Sequence, residues 1–249
     1  MLKTEGIVLS EIRFKETSKI LNIYTKKYGK IPVMARGAYK PKSKLIATTQ
    51  PFSYNEYILH KGRNFYYLNQ GVVIDPFYNI RENIKRFAYG FYILELIEKS
   101  IPEEEENERL FLLLEKSLRI LSNIDEEFLK FIVAFELKYI SFLGYRPYID
   151  SCVICNNNHN LNMKFSNSEG GIICSNCFSI DPGGKSIDML TIKVMKKLLF
   201  TPLDSLNSLE TPVNILMKLH NILEEYILYN IDRKEFNSLN LLKSITDDI

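Results

Sequence analysis

The chain has 249 residues, 46% hydrophobic and 25% charged, with a formal net charge of +2. Those fractions exclude wholesale disorder and fibrous architectures, and the length allows one large domain or two of ordinary size. A net charge this close to zero argues, taken alone, against a nucleic-acid binder.

The average hides a split. Residues 1–80 carry 13 basic and 5 acidic side chains, net +8, whereas residues 81–249 are net −6. Codon bias could explain why Lys outnumbers Arg, but not why acids are scarce only in the first third. Such asymmetry points to a nucleic-acid or membrane surface on the basic part. Glu5, Glu11 and Arg13 leave no room for the apolar region of a signal peptide in the first 15 residues. No apolar stretch approaches the roughly 18–20 residues of a membrane span; residues 111–114 are flanked by Arg109 and Glu115. The expectation is a soluble intracellular protein.

The basic third reads as five short strands, at residues 6–12, 18–25, 30–35, 52–59 and 65–74. The fourth alternates, with Phe52, Tyr54, Glu56 and Ile58 on one face and Ser53, Asn55, Tyr57 and Leu59 on the other. The polar run His60-Lys61-Gly62-Arg63-Asn64 supplies a hairpin turn into the fifth. Five strands in about 75 residues suit a small barrel of the OB type, and SH3-like barrels have similar counts.

Between the third and fourth strands lies Arg36-Gly37-Ala38-Tyr39-Lys40-Pro41-Lys42-Ser43-Lys44, with four cations, one aromatic and no acid. Its long cationic heads require water or an anion. On a rigid barrel, Arg36, Lys40, Lys42 and Lys44 can neutralise phosphates while Tyr39 offers a flat face to a base. Taken singly, Lys44 reads as an ordinary solvated lysine; as a unit, the stretch reads as a nucleic-acid surface. Arg13, Lys15, Lys19, Lys26, Lys27 and Lys30 lie on neighbouring strands and turns and extend it.

After Asp75-Pro76 the pattern becomes helical. Ile84, Phe87, Phe91, Leu94 and Ile97 recur at spacings of three and four over residues 84–99. The run Glu103 to Glu106 reads as a solvated helix start, because consecutive carboxylates do not converge on one face and acids favour the first turn. Residues 110–124 and 127–143 form two further helices, the second ended by Gly144 as a C-cap glycine. Residues 189–200 form another. Thr211-Pro212 then opens a helix to about residue 230, as N-cap and first helical position, and residues 235–245 add a final turn or two. The fold class is therefore α+β and multidomain. An OB-like barrel over residues 1–80 precedes a helical domain over residues 81–249, with an insertion over residues 148–184.

All four cysteines fall in that insertion: Cys152-Val153-Ile154-Cys155, 18 residues, then Cys174-Ser175-Asn176-Cys177. Two C-x-x-C knuckles at this separation match the four-thiolate zinc pattern, in which each knuckle gives two sulfurs to a tetrahedral ion. Paired disulfides are disfavoured in a reducing cytosol, and two redox dithiols without a thioredoxin-like context are improbable. One structural Zn²⁺ per chain is expected, closed to water by four thiolates. His159, between the pairs, reads as a loop histidine.

Enzyme chemistry finds no support in the motifs. None of His60, His159 and His220 is followed two residues later by Glu, as a zinc deaminase requires. Asp181-Pro182-Gly183-Gly184-Lys185 lacks the first glycine of a phosphate loop and reads as a turn.

Taken in order, the pieces resemble one family. They are Glu5-Gly6-Ile7-Val8-Leu9-Ser10, Glu16-Thr17-Ser18-Lys19-Ile20-Leu21, Tyr24-Thr25 followed by Gly29, Ala35-Arg36-Gly37-Ala38, Lys42-Ser43, Gln50-Pro51-Phe52, a helical body and the paired C-x-x-C insertion. This order resembles the RecO family of bacterial DNA repair and recombination proteins over essentially the whole chain. The resemblance implies a non-enzymatic mediator that binds single- and double-stranded DNA and anneals complementary strands. It implies partnership with RecR and with single-stranded-DNA-binding protein, an indirect link to the RecA filament, and residence in the cytoplasm at the nucleoid, with no membrane. It also implies DNA contact at Arg36, Lys40, Lys42 and Lys44, and zinc at Cys152, Cys155, Cys174 and Cys177. Relatives often carry two adjacent cations after Gly-Ala, where this chain has Tyr39 then Lys40, a change that permits stacking. The competing reading is a protein-interaction adaptor of the repair machinery whose DNA contact is incidental.

Overall fold

The computed structural model describes residues 1–157 and 162–245, so His159 lies outside the described residues. The chain divides into two compact units, Met1–Asn123 and Ile124–Ile249.

The first unit is built on a closed five-stranded barrel. Its strands are β1 (Leu2–Phe14), β2 (Ser18–Thr25), β3 (Gly29–Ala35), β4 (Tyr54–Lys61) and β5 (Tyr66–Asp75). They close in the order β1-β2-β3-β5-β4, with β4 returning to β1. Every pairing is antiparallel except β3 with β5, which run parallel over Val33↔Tyr66 and Met34↔Tyr67. That order is the OB arrangement, and it leaves the SH3-like alternative behind.

Alternation drives the closure. Val8, Leu21, Ile23, Ile31, Val33, Tyr57, Leu59 and Leu68 point inward and are buried, while Lys3, Asn22, Lys30 and Glu56 stay at least partly exposed. A bulge between Val8 and Ser10 bends β1 around the barrel. Gly6 lies on the same strand, where a Cβ would come within 2.7 Å of Ile23 Cγ2. Inside, the Tyr57 hydroxyl donates to the Thr48 carbonyl at 2.7 Å and so fixes the 3-10 turn Ala47–Thr49 of the long β3–β4 loop.

Helices α1 (Tyr78–Glu82), α2 (Ile84–Ser100) and α3 (Glu108–Leu121) complete this unit. Asn83 caps α2 by accepting from the Lys85 and Arg86 N–H groups. Glu98 ties α2 to the barrel, accepting from Ser10 Oγ at 2.5 Å and Asn22 Nδ2 at 2.6 Å.

The glutamate run is not a helix start. Helix α3 begins at Glu108 with Asn107 as its N-cap, and residues 103–106 form a strap along the barrel. Glu103 bridges Lys30, and the Glu104 N–H donates to the Lys30 carbonyl at 2.9 Å. The Glu104 carboxylate accepts from Lys61 Nζ at 2.9 Å and from the Tyr66 hydroxyl at 2.8 Å. Because β5 pairs β3 over only two residues, the lower part of β3 has an open edge, and the strap covers it. Gly29 (φ +62°) makes the approach possible, since a Cβ there would sit 2.1 Å from the Glu105 carbonyl oxygen.

The second unit packs α4 (Phe128–Phe142) against α5 (Met189–Phe200) and α6 (Val213–Asn230), with α7 (Asn237–Ile245) following. Helix α4 is buried almost throughout, and Gly144 (φ +94°) ends it while the Tyr145 N–H reaches back to the Ile140 carbonyl. Its buried cation, Lys130, satisfies the carbonyls of Leu206 and Leu209 at 3.3 and 2.8 Å. Its buried anion, Glu136, accepts from His220 Nδ1 of α6 at 2.9 Å. Helix α6 starts at Val213 with Pro212 in the cap position.

The insertion carries a small antiparallel sheet in the order β7-β6-β8, from β6 (Met163–Ser166), β7 (Gly171–Cys174) and β8 (Lys185–Ile187). Among the described residues, no helix is long and apolar enough to cross a membrane.

Candidate nucleic-acid interface and metal centre

Three segments meet at one end of the barrel: the β1–β2 turn, the chain leaving β3, and the β4–β5 hairpin. They enclose an open cleft of about 650 Å³ lined by Phe14, Lys15, Thr17, Ser18, Met34, Arg36, Gly37, Lys40, Arg63, Asn64, Phe65 and Tyr67. Four cations, Lys15, Arg36, Lys40 and Arg63, converge there with three aromatic rings. Arg36 lies over the Tyr67 ring, 4.8 Å from its centroid, and Lys15 lies 5.5 Å from that of Phe14. All four cations are exposed, so their charge is open to an anion.

Tyr39 sits beside this cleft. Its backbone N–H donates to the Thr17 carbonyl at 2.9 Å, which pins the basic loop to the β1–β2 turn. Its hydroxyl donates to Glu11 Oε1 at 3.2 Å, and Arg13 and Lys19 lie 5.5 and 4.7 Å from its ring centroid. Lys19 itself does not extend the surface. It is buried, paired with Glu11, and donates to the Thr49 carbonyl at 3.2 Å. An inward position on β2 explains this: the aliphatic stem fills core space and the ammonium is neutralised on the spot. Lys42 (φ +65°) and Lys44 stay exposed farther along the loop.

Lys26 and Lys27 are not brought to the cleft. They occupy the β2–β3 turn, at the far end of a strand whose first residue, Ser18, lines it. Eight residues of strand separate the two ends by roughly 25 Å. Lys26 pairs with Glu108 at 3.5 Å, Lys61 with Glu104, and Lys30 donates to the Glu98 carbonyl. The strap and its flanks therefore engage Lys26, Lys30 and Lys61, while Lys15, Arg36, Lys40 and Arg63 stay exposed at the cleft.

Arg63 is the cleft cation that sequence reading missed, absorbed there into a hairpin turn. Its signal was the cation two residues before Phe65-Tyr66-Tyr67, which pairing with β3 then carries to the mouth of the barrel.

The four cysteines come together as expected. Their sulfur atoms lie within 4.8 Å of one another, with Cys155 to Cys174 at 3.5 Å and Cys174 to Cys177 at 3.8 Å. A tetrahedral ion with metal–sulfur bonds of about 2.3 Å needs sulfurs roughly 3.8 Å apart, so the four residues could hold a metal ion. Cys174 ends β7 and donates its N–H to Cys152 Sγ at 3.3 Å, while Cys177 closes a 3-10 turn. Burial opposes ionisation of Cys152, but N–H donors from Cys155, Cys174 and Ile154 outweigh it and bring the thiol down to about 6. The turn at Asp181–Lys185 holds no phosphate-loop geometry: Asp181 accepts from Ser166 Oγ and Lys185 pairs with Glu225.

Comparison with known proteins agrees with this architecture. Residues 1–77 match the family model described as Recombination protein O N terminal, and residues 81–240 match Recombination protein O C terminal. The chain belongs to the RecO family. The DNA repair protein RecO of Alkaliphilus metalliredigens is 40% identical over 245 residues, covering 98% of this chain and 100% of that protein. Its counterpart in Thermoanaerobacter sp. is 34% identical over 98% of both chains, and that of Listeria monocytogenes 33% identical over the whole of both. Membership of the RecO family makes this chain a recombination mediator of DNA repair.

Proposed function

We propose that this RecO-family chain is a non-enzymatic mediator that binds single- and double-stranded DNA and anneals complementary strands. With RecR it assists loading of RecA onto strands coated by single-stranded-DNA-binding protein, in the cytoplasm at the nucleoid. The observation that carries the reading is the convergence of Lys15, Arg36, Lys40 and Arg63 on one cleft of an OB barrel. Phosphate neutralisation supplies affinity, and two strands drawn to one cationic surface have their mutual repulsion screened, so that base pairing completes the reaction. Residues 1–80 serve as the DNA-binding domain, with Arg13, Tyr39, Lys42 and Lys44 flanking the cleft. Residues 81–249 supply the helices, those up to residue 123 belonging to the same compact unit as the barrel.

Zinc is the metal that four thiolates select, and it staples the insertion at residues 148–184. Four sulfurs close its coordination sphere, so its role is structural. The test is a strand-annealing assay on complementary oligonucleotides. Replacing Lys40, Lys42 and Lys44 by Ala should slow annealing at least tenfold. Annealing at the unsubstituted rate would overturn the reading, and pull-down of protein partners persisting at salt that abolishes DNA binding would favour the adaptor instead.

A further inference from the structure

We infer that the cleft at the barrel end is a seat for a single unstacked nucleobase, with Arg36 as its stacking surface and Tyr67 as the residue that positions Arg36. This rests on the DNA-binding reading and adds to it a means of telling single strands from duplex.

A phosphate-binding surface needs exposed cations but no cavity with apolar walls. Here the cations rim a concavity of about 650 Å³, within the range of roughly 300–1,000 Å³ typical of ligand pockets. The lining is mixed in the way a base requires. Phe14, Phe65 and Met34 give apolar walls, while Thr17, Ser18 and Asn64 offer hydroxyl and amide groups to a base edge. Phe14 is 37% exposed at the end of β1, beside this cavity.

The platform is layered. Gly62 packs against the Tyr67 ring, where a Cβ would come within 2.5 Å of Cε2, and the Arg36 guanidinium lies 4.8 Å from the ring centroid. In the proposed seat an incoming base stacks on the Arg36 guanidinium, which its contact with Tyr67 holds beside the cavity. Arginine planes stack bases as aromatic rings do. In duplex DNA the bases are stacked and paired and cannot enter such a cavity, so the duplex has only the rim cations to engage. A single strand engages both.

Arg36→Lys separates the two roles, because it keeps the charge and removes the plane. The experiment measures affinity of the full chain for a single-stranded oligonucleotide carrying 2-aminopurine and for a duplex of the same length, across a range of salt. Losing one stacked base should lower the single-strand to duplex affinity ratio about 5- to 150-fold. The salt slope should be retained, and the 2-aminopurine fluorescence change on binding should be lost. Tyr67→Leu should shift the ratio in the same direction. An unaltered ratio with an unaltered fluorescence change in Arg36→Lys would reduce Arg36 to a phosphate contact and overturn the seat. Failure of the unsubstituted chain to bind either DNA would instead overturn the DNA-binding reading, and this proposal with it.

Discussion

Chelating the metal proposed for the insertion should open it locally while leaving the helices around it intact. The apolar cluster at the knuckles consists of Cys152, Ile173, Cys174 and Cys177, with Val153 and Phe178 packed partly against it. Among the described residues, Ile173 is the one non-cysteine side chain fully buried in that cluster, and such a residue contributes about 1.5–3 kcal/mol. A structural zinc ion contributes about 10–16 kcal/mol in small zinc-binding peptides. The metal thus exceeds the apolar cluster several-fold, and chelation removes most of what holds the knuckles together. Strand β6 pairs with β7 through Met163↔Cys174 and Lys164↔Ile173, so loss of the knuckle frees the backbone around Lys164. Limited trypsin digestion reads this directly. Protein purified without chelator should contain about one zinc per chain and resist cleavage after Lys164. Chelator, or Cys177→Ser, should expose that bond while α4 and α6 stay uncut. Equal resistance with and without chelator, or protein free of metal as purified, would refute the reasoning.

The buried His220–Glu136 pair gives a pH prediction. Burial alone would lower the His220 value, but the Glu136 carboxylate outweighs it and holds the imidazole above its ordinary range, with Glu224 adding and Lys243 opposing. A folded value above the unfolded one of about 6.5 means that this stabilisation is complete below pH 6.5 and is lost as pH rises through the folded value. Thermal unfolding of Glu136→Gln should show a loss of about 3–5 kcal/mol at pH 6 and a flatter pH dependence than the parent. Gly29→Ala should destabilise the first unit by about 1–3 kcal/mol, measured by urea unfolding, because its Cβ would strike the Glu105 backbone at a left-handed position. Lys26→Ala with Lys27→Ala should change the salt slope of DNA binding by less than one unit, whereas Lys40→Ala with Lys42→Ala should change it by about 1.4 for single strands.

Much of this was legible because the relevant signals are local. Alternation in β4 and the polar turn at residues 60–64 mark strands of the barrel, and the C-x-x-C pairs mark the cysteine cluster that could hold a metal ion. The failures are all matters of long-range placement. Lys19 looks like its neighbouring cations, and only its inward register on β2 buries it against Glu11. The glutamate run obeys the rules for a helix start, yet an open β3 edge and Lys61 offered it better partners. Arg63 sits about 27 residues from Arg36 in sequence, and the parallel β3–β5 contact makes them neighbours. Lys26 and Lys27 differ from Lys15 only in which end of β2 they adjoin, which net charge does not record.

The central claim is that cations gathered at one end of the barrel bind DNA phosphates. Its most direct test is the salt dependence of single-strand affinity, for the unsubstituted chain and for the triple replacement of Lys40, Lys42 and Lys44 by Ala. About five neutralised phosphates predict a log–log slope of roughly −3 to −5, and the triple replacement should flatten it by about two units. A slope near zero, or one unaffected by losing the three lysines, would contradict the account.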